Sequence, residues 1–156
     1  MNSRSLIRSA TLLDVAAITS IVHDAYAPYI PRIGKEPAPM LDDYRQVIAG
    51  GEVFVLGAEG EVRGVLVLEQ EGDVLHVQNV AVCNQARGQG LGRQLMSFAE
   101  GQARALGCEA IELYTKELMT ENILFYPRLG YWETRRAAED GYARVFFRKA
   151  IQGQDA

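Results

Sequence analysis

Apolar and polar positions change period several times along the chain, and each change marks an element. Ser5–Ser9 reads as a short strand, followed by Thr11 with Asp14 three positions on, a capping-box variant with Asp in place of Glu or Gln. Val15, Ile18, Val22 and Ala25 recur at helical spacing and predict a helix to about Tyr26. Pro28, Pro31, Gly34, Pro37 and Pro39 predict a loop from Ala27 to Met40. A helix over Leu41–Ala49 follows, stopped by Gly50-Gly51. The period then falls to two: Val53–Leu56 and Val62–Glu69 read as a hairpin turning at Glu59-Gly60, and Val74–Val82 as a third strand. Gly90–Leu106 returns to helical spacing, with Leu91, Leu95, Phe98 or Ala99, Gln102 and Leu106 on one face, and Ala110–Thr115 is a strand again. That strand–helix–strand order implies a right-handed crossover between parallel strands. A helix around Glu121–Leu129 and an antiparallel pair, Tyr131–Thr134 with Ala143–Arg148, close a layered α+β domain with a mixed sheet and helices on both faces.

Composition narrows the function classes. A length of 156 residues predicts one domain over 1–156. Sixteen Lys and Arg against twenty Asp and Glu leave a formal charge of −4, which argues against a nucleic-acid partner, since such binding needs clustered cations. No apolar run has the length of a signal core or a membrane span, so a cytoplasmic chain with no membrane partner is expected. Cys83 and Cys108 have no metal-ligand or redox spacing, no metal is expected, and both read as small apolar residues. The fifteen glycines exceed average usage of roughly 7%, which raises the question of where they gather.

Three of them fall within Arg87-Gly-Gln-Gly-Leu-Gly92, between a strand and a helix start. Glycine admits positive φ and close approach of a ligand, and the first helical turn presents unpaired N–H groups with partial positive charge. Together they suit a phosphate. No Gly-Lys-Ser/Thr occurs, which excludes a Walker loop. A dinucleotide fingerprint would place glycine at position 93, where Arg93 stands, so that alternative is weakened though Glu112 could imitate the ribose-binding acid. Arg87, Gly90 and Gly92 match Arg-x-x-Gly-x-Gly better.

With the strand Val77–Val82 before this loop and Asn122-Ile-Leu-Phe-Tyr-Pro-Arg-Leu-Gly-Tyr131 after it, the chain resembles the GNAT superfamily of acyl-CoA-dependent N-acetyltransferases. The resemblance implies a three-layer α/β/α fold: a mixed, mostly antiparallel sheet of about seven strands whose central parallel pair splays at the acyl-CoA site. It implies acetyl-CoA as donor, with the pantetheine arm along Val80, Ala81 and Val82 and the pyrophosphate on Arg87, Gly88, Gln89, Gly90, Leu91, Gly92 and Arg93. Asn122 and Tyr126 are further coenzyme contacts, although the family's usual Asn position is Met119 here; Thr120 is the expected helix cap.

The reaction implied is direct attack of a primary amine of a small molecule or peptide on the thioester. Tyr126 corresponds to the family's general acid, with Pro127 disturbing the helix beside it. A backbone N–H near Asn79 or Val80 is the implied oxyanion donor. Many members carry Glu where Gln78 stands, which opens the base to His76, or to Glu69 or Glu71 acting through water. Tyr29 and Arg32 in the proline-rich stretch, with Gln78 and Asn79 on the strand, are the expected acceptor contacts. With Lys35 the first two suit an acceptor bearing a carboxylate, while Asp24, Asp42 and Asp43 equally suit a cationic amine. The loss of Glu at Gln78 also motivates a different reading, a non-catalytic acyl-CoA sensor or scaffold. A homodimer through the C-terminal strands is compatible with the family.

Overall fold

The structure is a computed structural model and describes residues 6–58, 60–86, 88–139 and 141–151, with Ala38 described by its backbone. The element order is β1 (Leu6–Ser9), α1 (Val15–Tyr26), α2 (Ile30–Ile33), α3 (Tyr44–Gly50), β2 (Glu52–Ala58), β3 (Glu61–Glu71), β4 (Val74–Val82), α4 (Leu91–Ala105), β5 (Ala110–Lys116), α5 (Thr120–Arg128), β6 (Trp132–Glu139) and β7 (Tyr142–Ala150). The strands form one seven-stranded sheet in the order β1-β2-β3-β4-β5-β7-β6. It is mostly antiparallel, with β4 and β5 parallel through Val74↔Ala110, Leu75↔Ile111 and His76↔Glu112. The chain divides into two compact units, one of the residues up to Glu69 with Gln78–Ala99, the other of Gln70–Val77 with the residues from Glu100 onward.

In the first unit, period-two alternation gives β2 and β3 two buried faces. Val53, Val55, Val65 and Val67 pack with Ile18, Ile21, Val22 and Ala25 of α1 and with Tyr44 and Ala81. Leu56, Leu66 and Leu68 are also fully buried, and the start of α4 approaches closely. A Cβ on Gly64 would lie 3.0 Å from Leu95 Cδ1 and 3.3 Å from the Ala81 carbonyl, so the bare backbone there is what lets Leu95 seat. Phe54 and Phe98 meet edge to face at 4.8 Å. The Thr11–Asp14 capping box forms as expected, on a 3-10 turn over Leu12–Asp14 that leads into α1. Arg8 adds a bidentate pair to Asp14 at 2.8 and 2.9 Å.

The expected loop from Ala27 to Met40 is instead mostly helical: a 3-10 turn at Ala27–Tyr29, α2, and a second 3-10 turn at Ala38–Leu41. The prolines sit in the first positions of these turns, where their missing N–H would have been unpaired anyway. The next helix likewise begins at Tyr44, not Leu41, because Asp43 caps it by accepting from the Arg45 N–H at 3.0 Å.

In the second unit, β5 pairs antiparallel with β7, and β7 with β6. Tyr126 of α5 lies against Phe147 and Tyr131, with centroids at 5.7 and 6.0 Å. Lys149 donates to Glu100 at 2.9 Å, and Tyr131 to the same carboxylate at 3.4 Å. The buried line of α4 is Leu91, Leu95, Met96, Ala99 and Ala103; Leu106 lies one residue past the helix and is exposed, contrary to the expected face. Cys108 is buried and Cys83 half-buried, both as free thiols. No helix among the described residues is long and apolar enough to cross a membrane.

Candidate active site

Within the first unit, β4 ends at Val82, and the Cys83 N–H still donates to the Arg63 carbonyl at 2.8 Å. A 3-10 turn over Asn84–Ala86 follows, held to α1 by the Asn84 side-chain amide donating to the Asp24 carbonyl at 3.3 Å. Arg87 lies outside the described residues. Gly88 and Gly90 take φ of +81° and +79°, and Gly88, Gln89 and Gly90 are all exposed. A Cβ on Gly88 or Gly90 would meet no heavy atom within 4 Å. These glycines therefore serve the backbone conformation and leave a cradle that side chains would fill. The Gly90 carbonyl accepts the first helical bond, from Gln94 at 3.1 Å. The N–H groups of Leu91, Gly92 and Arg93 thus precede the first intrahelical donor. An open cradle at a helix N-terminus fits a pyrophosphate.

The strand leading into this loop alternates in burial over its whole length, with Leu75, Val77, Asn79 and Ala81 inward. Asn79 is 7% exposed, and its side chain joins three elements: Oδ1 accepts from the Tyr26 hydroxyl at 2.7 Å, while Nδ2 donates to the Tyr44 hydroxyl at 3.1 Å. Tyr44 in turn donates to the Pro39 carbonyl at 2.7 Å. The Asn79 amide, expected at the acceptor, is thus engaged inside the unit. Gln78 points outward and donates from Nε2 to Glu69 Oε2 at 2.6 Å. Tyr29 is buried, with the exposed Arg32 guanidinium 4.9 Å over its ring.

In the second unit, Tyr126 is 5% exposed and ringed by Phe125, Tyr131 and Phe147. Burial pushes its phenol well above the ordinary value near 10. No hydrogen-bond partner for its hydroxyl is found among the described residues. Pro127 sits in the last turn, where the Tyr126 carbonyl accepts from Leu129 at 3.0 Å and from Tyr131 at 3.2 Å, closing the helix. Asn122 is half-buried and donates from Nδ2 to Thr115 Oγ1 at 3.1 Å, tying α5 to β5. The residue capping α5 is Met119, without a side-chain bond to the helix; Thr120 is the first helical residue and reaches Glu121 instead, correcting the expected cap. His76 Nε2 lies 3.5 Å from Glu71 Oε2.

The model of the acetyltransferase (GNAT) family matches residues 18–131. The chain belongs to that family. It is 30% identical over 135 residues, 81% of either chain, to the Uncharacterized N-acetyltransferase YjgM of Escherichia coli K12. It is 36% identical over 78 residues to the aminoalkylphosphonate N-acetyltransferase of Salmonella typhimurium LT2, covering 46% of this chain and 51% of that protein. Among solved structures it is similar to the acetyltransferase yncA of Salmonella typhimurium, solved with its cofactor acetyl-CoA. That match has a TM-score of 0.73 at 21% identity over 99% of this chain and 98% of the other.

For a GNAT acetyltransferase the donor is acetyl-CoA. The glycine cradle and α4 N-terminus present the backbone donors such a ligand needs. The family membership sets aside the dinucleotide reading. Sequence reasoning missed the contact that gives the Gln78 position a carboxylate, since that bond depends on how β3 and β4 pair. It also missed Lys116 and Arg144, two buried cations on β5 and β7. Strand alternation places Lys116 with Glu112 and Tyr114, and that was the available signal.

Proposed function

We propose that residues 1–156 act as a single cytoplasmic acetyltransferase domain that transfers acetyl from acetyl-CoA to a primary amine of a small molecule or peptide. The amine attacks the thioester directly, with Tyr126 as general acid. The observation that carries this is Tyr126, whose ring is buried among three others while its hydroxyl has no protein partner among the described residues. A hydroxyl in that setting keeps its proton at neutral pH and has no competing use for it. Bound acetyl-CoA supplies the electrophilic acetyl carbon; the new C–N bond forms as the C–S bond breaks. Tyr126 then protonates the departing sulfur. Proton transfer is balanced only in a dry site, because desolvation raises the pKa of a thiol as it raises that of a phenol.

His76, 3.5 Å from Glu71, takes the proton of the amine. Glu69, whose carboxylate accepts from the Gln78 amide at 2.6 Å, is the alternative, acting through water. The aminoalkylphosphonate named for the Salmonella relative is a small amine, and supports a small-molecule acceptor for this chain too.

Thiol release from acetyl-CoA with a panel of amines tests the reading. Tyr126→Phe is expected to lower kcat by about 10²-fold, more than it weakens acetyl-CoA affinity. Because the phenol is raised, the acid form persists, and no alkaline limb from Tyr126 is expected below the ordinary tyrosine range. Equal kcat for Tyr126→Phe and the parent would overturn the general acid. His76→Gln is expected to lower kcat by about 10²-fold; if Glu69→Gln does so and His76→Gln does not, the glutamate is the base.

A further inference from the structure

Lys116 on β5 stands directly opposite Arg144 on β7 in the antiparallel register. Like charges opposed across two strands repel. Here both residues are also buried, at 5% and 8% exposure. Arg144 Nη1 donates to Glu139 Oε2 at 3.1 Å, but its Nε is buried and has no hydrogen-bond partner among the described residues. Glu117, next to Lys116 in the chain, bonds Arg136 at 3.3 Å. Both cations lie over the same two rings: Tyr114, at 4.4 Å from the Arg144 guanidinium and 5.4 Å from Lys116 Nζ, and Tyr142, at 5.7 and 5.3 Å. Ring faces stabilise cations, yet they accept no in-plane hydrogen bond from Nε. Tyr114 is 40% exposed, so the cluster opens on solvent.

A buried guanidinium N–H left unpaired is costly. An oxyanion is the group that would relieve it, since guanidinium donors match two oxygens in one plane. The position suits an acceptor. The Lys116 carbonyl accepts from the Met119 N–H at 2.9 Å, and neighbouring Thr115 accepts from Asn122, so the strand end carrying Lys116 is pinned to the first turn of the helix of Tyr126. We propose that Lys116 and Arg144, framed by Tyr114 and Tyr142, form an oxyanion subsite that selects a small amine bearing a carboxylate or phosphonate as acceptor. This rests on the acetyl-transfer reading above.

Two measurements on the full chain test it separately from that reading. In the first, methylphosphonate alone is titrated against the protein by calorimetry. Saturable binding is expected, weakened at least ~10-fold in Arg144→Gln and in Lys116→Gln. In the second, thiol release from acetyl-CoA is compared for 2-aminoethylphosphonate and β-alanine against the neutral ethanolamine and β-alaninamide. The anionic acceptors are expected to exceed the neutral ones by at least ~10-fold in kcat/KM, with the ratio falling towards one in both variants through KM. A preference for phosphonate or for carboxylate supports the subsite and tells which anion it takes. Equal use of neutral and anionic amines, or a ratio that survives both substitutions, overturns it. Should no amine react, the acetyl-transfer reading fails, and methylphosphonate binding alone decides: loss in the variants upholds the subsite, and absence of binding to the parent overturns it. Circular dichroism identifies a variant that has not folded, and the other then carries the comparison.

Discussion

Tyr44 in the first unit and Tyr126 in the second are buried to nearly the same degree, at 3% and 5% exposure, and burial raises both phenols. Their hydroxyls differ entirely in company. Tyr44 donates to the Pro39 carbonyl and accepts from Asn79, whose other amide atom accepts from Tyr26. Tyr126 is held by rings alone. The same contrast divides two arginines. Arg8 closes a bidentate pair on Asp14, whereas Arg144 leaves Nε without a partner among the described residues. A polar group whose bonds are met inside its own unit stabilises that unit; one left unmet costs stability and is free to meet a ligand. Burial alone therefore does not separate structure from chemistry, and hydrogen-bond completeness does.

The sharpest way to break this comparison is to remove each hydroxyl. Tyr126→Phe deletes an unmet group, so beside its large loss of kcat it should leave the urea midpoint unchanged or raise it. Tyr44→Phe deletes a met one and strands both the Asn79 amide and the Pro39 carbonyl, which is expected to cost about 1–3 kcal/mol in urea unfolding. Per folded molecule, Tyr44→Phe should retain kcat. Equal destabilisation by the two substitutions would erase the distinction.

A smaller effect is expected at the glycine cradle, where the first unit does present unmet donors. Gly90→Val places a branched side chain at φ +79° in space that the protein itself leaves open. Strain of about 1–2 kcal/mol is expected in urea unfolding. Acetyl-CoA affinity, measured by calorimetry, should fall by ~10-fold or more, because the side chain occupies the cradle. Parent-like affinity in a folded Gly90→Val protein would remove the pyrophosphate from this loop.

Elements with a clean period were legible from the residues: α1, β2 to β5 and β7 lie within a few positions of where apolar spacing puts them, whereas β6, expected to end at Thr134, runs on to Glu139. Punctuation by proline was not. Pro28, Pro31 and Pro39 break a helix that precedes them and equally begin one that follows, and spacing does not say which, so Ala27–Met40 read as a loop. Of the candidate site, the glycine cradle was legible because its chemistry lies within one short segment. The Asn79 chain was not, since Tyr26, Tyr44 and Pro39 come from segments that only the packed unit brings together. Lys116 and Arg144 needed the β5–β7 register, which is set by side chains across the sheet and by the β6–β7 turn rather than by either strand.

The smallest effect tests a met pair at the edge of the first unit. Asp14 accepts from Arg8 and from the Thr11 N–H at 2.8 Å, and the Arg8 hydrogen bonds, foremost, hold its carboxyl below the ordinary value despite the opposing effect of burial. A lowered folded value means that the ionised form is favoured by folding, so the stabilisation is fully present above the unfolded value near 3.9 and is lost as pH falls through the lower folded one. Arg8 is 54% exposed, which limits the ion pair, and the larger share comes from the cap. Asp14→Asn is thus expected to cost about 1 kcal/mol in urea at about pH 7. The gap between parent and variant should narrow at about pH 3, because the parent is then losing what the variant never had. A gap that stays constant across that range would mean that the carboxylate charge adds nothing to the cap, and that completeness of hydrogen bonding, without ionisation, accounts for the stability of this corner.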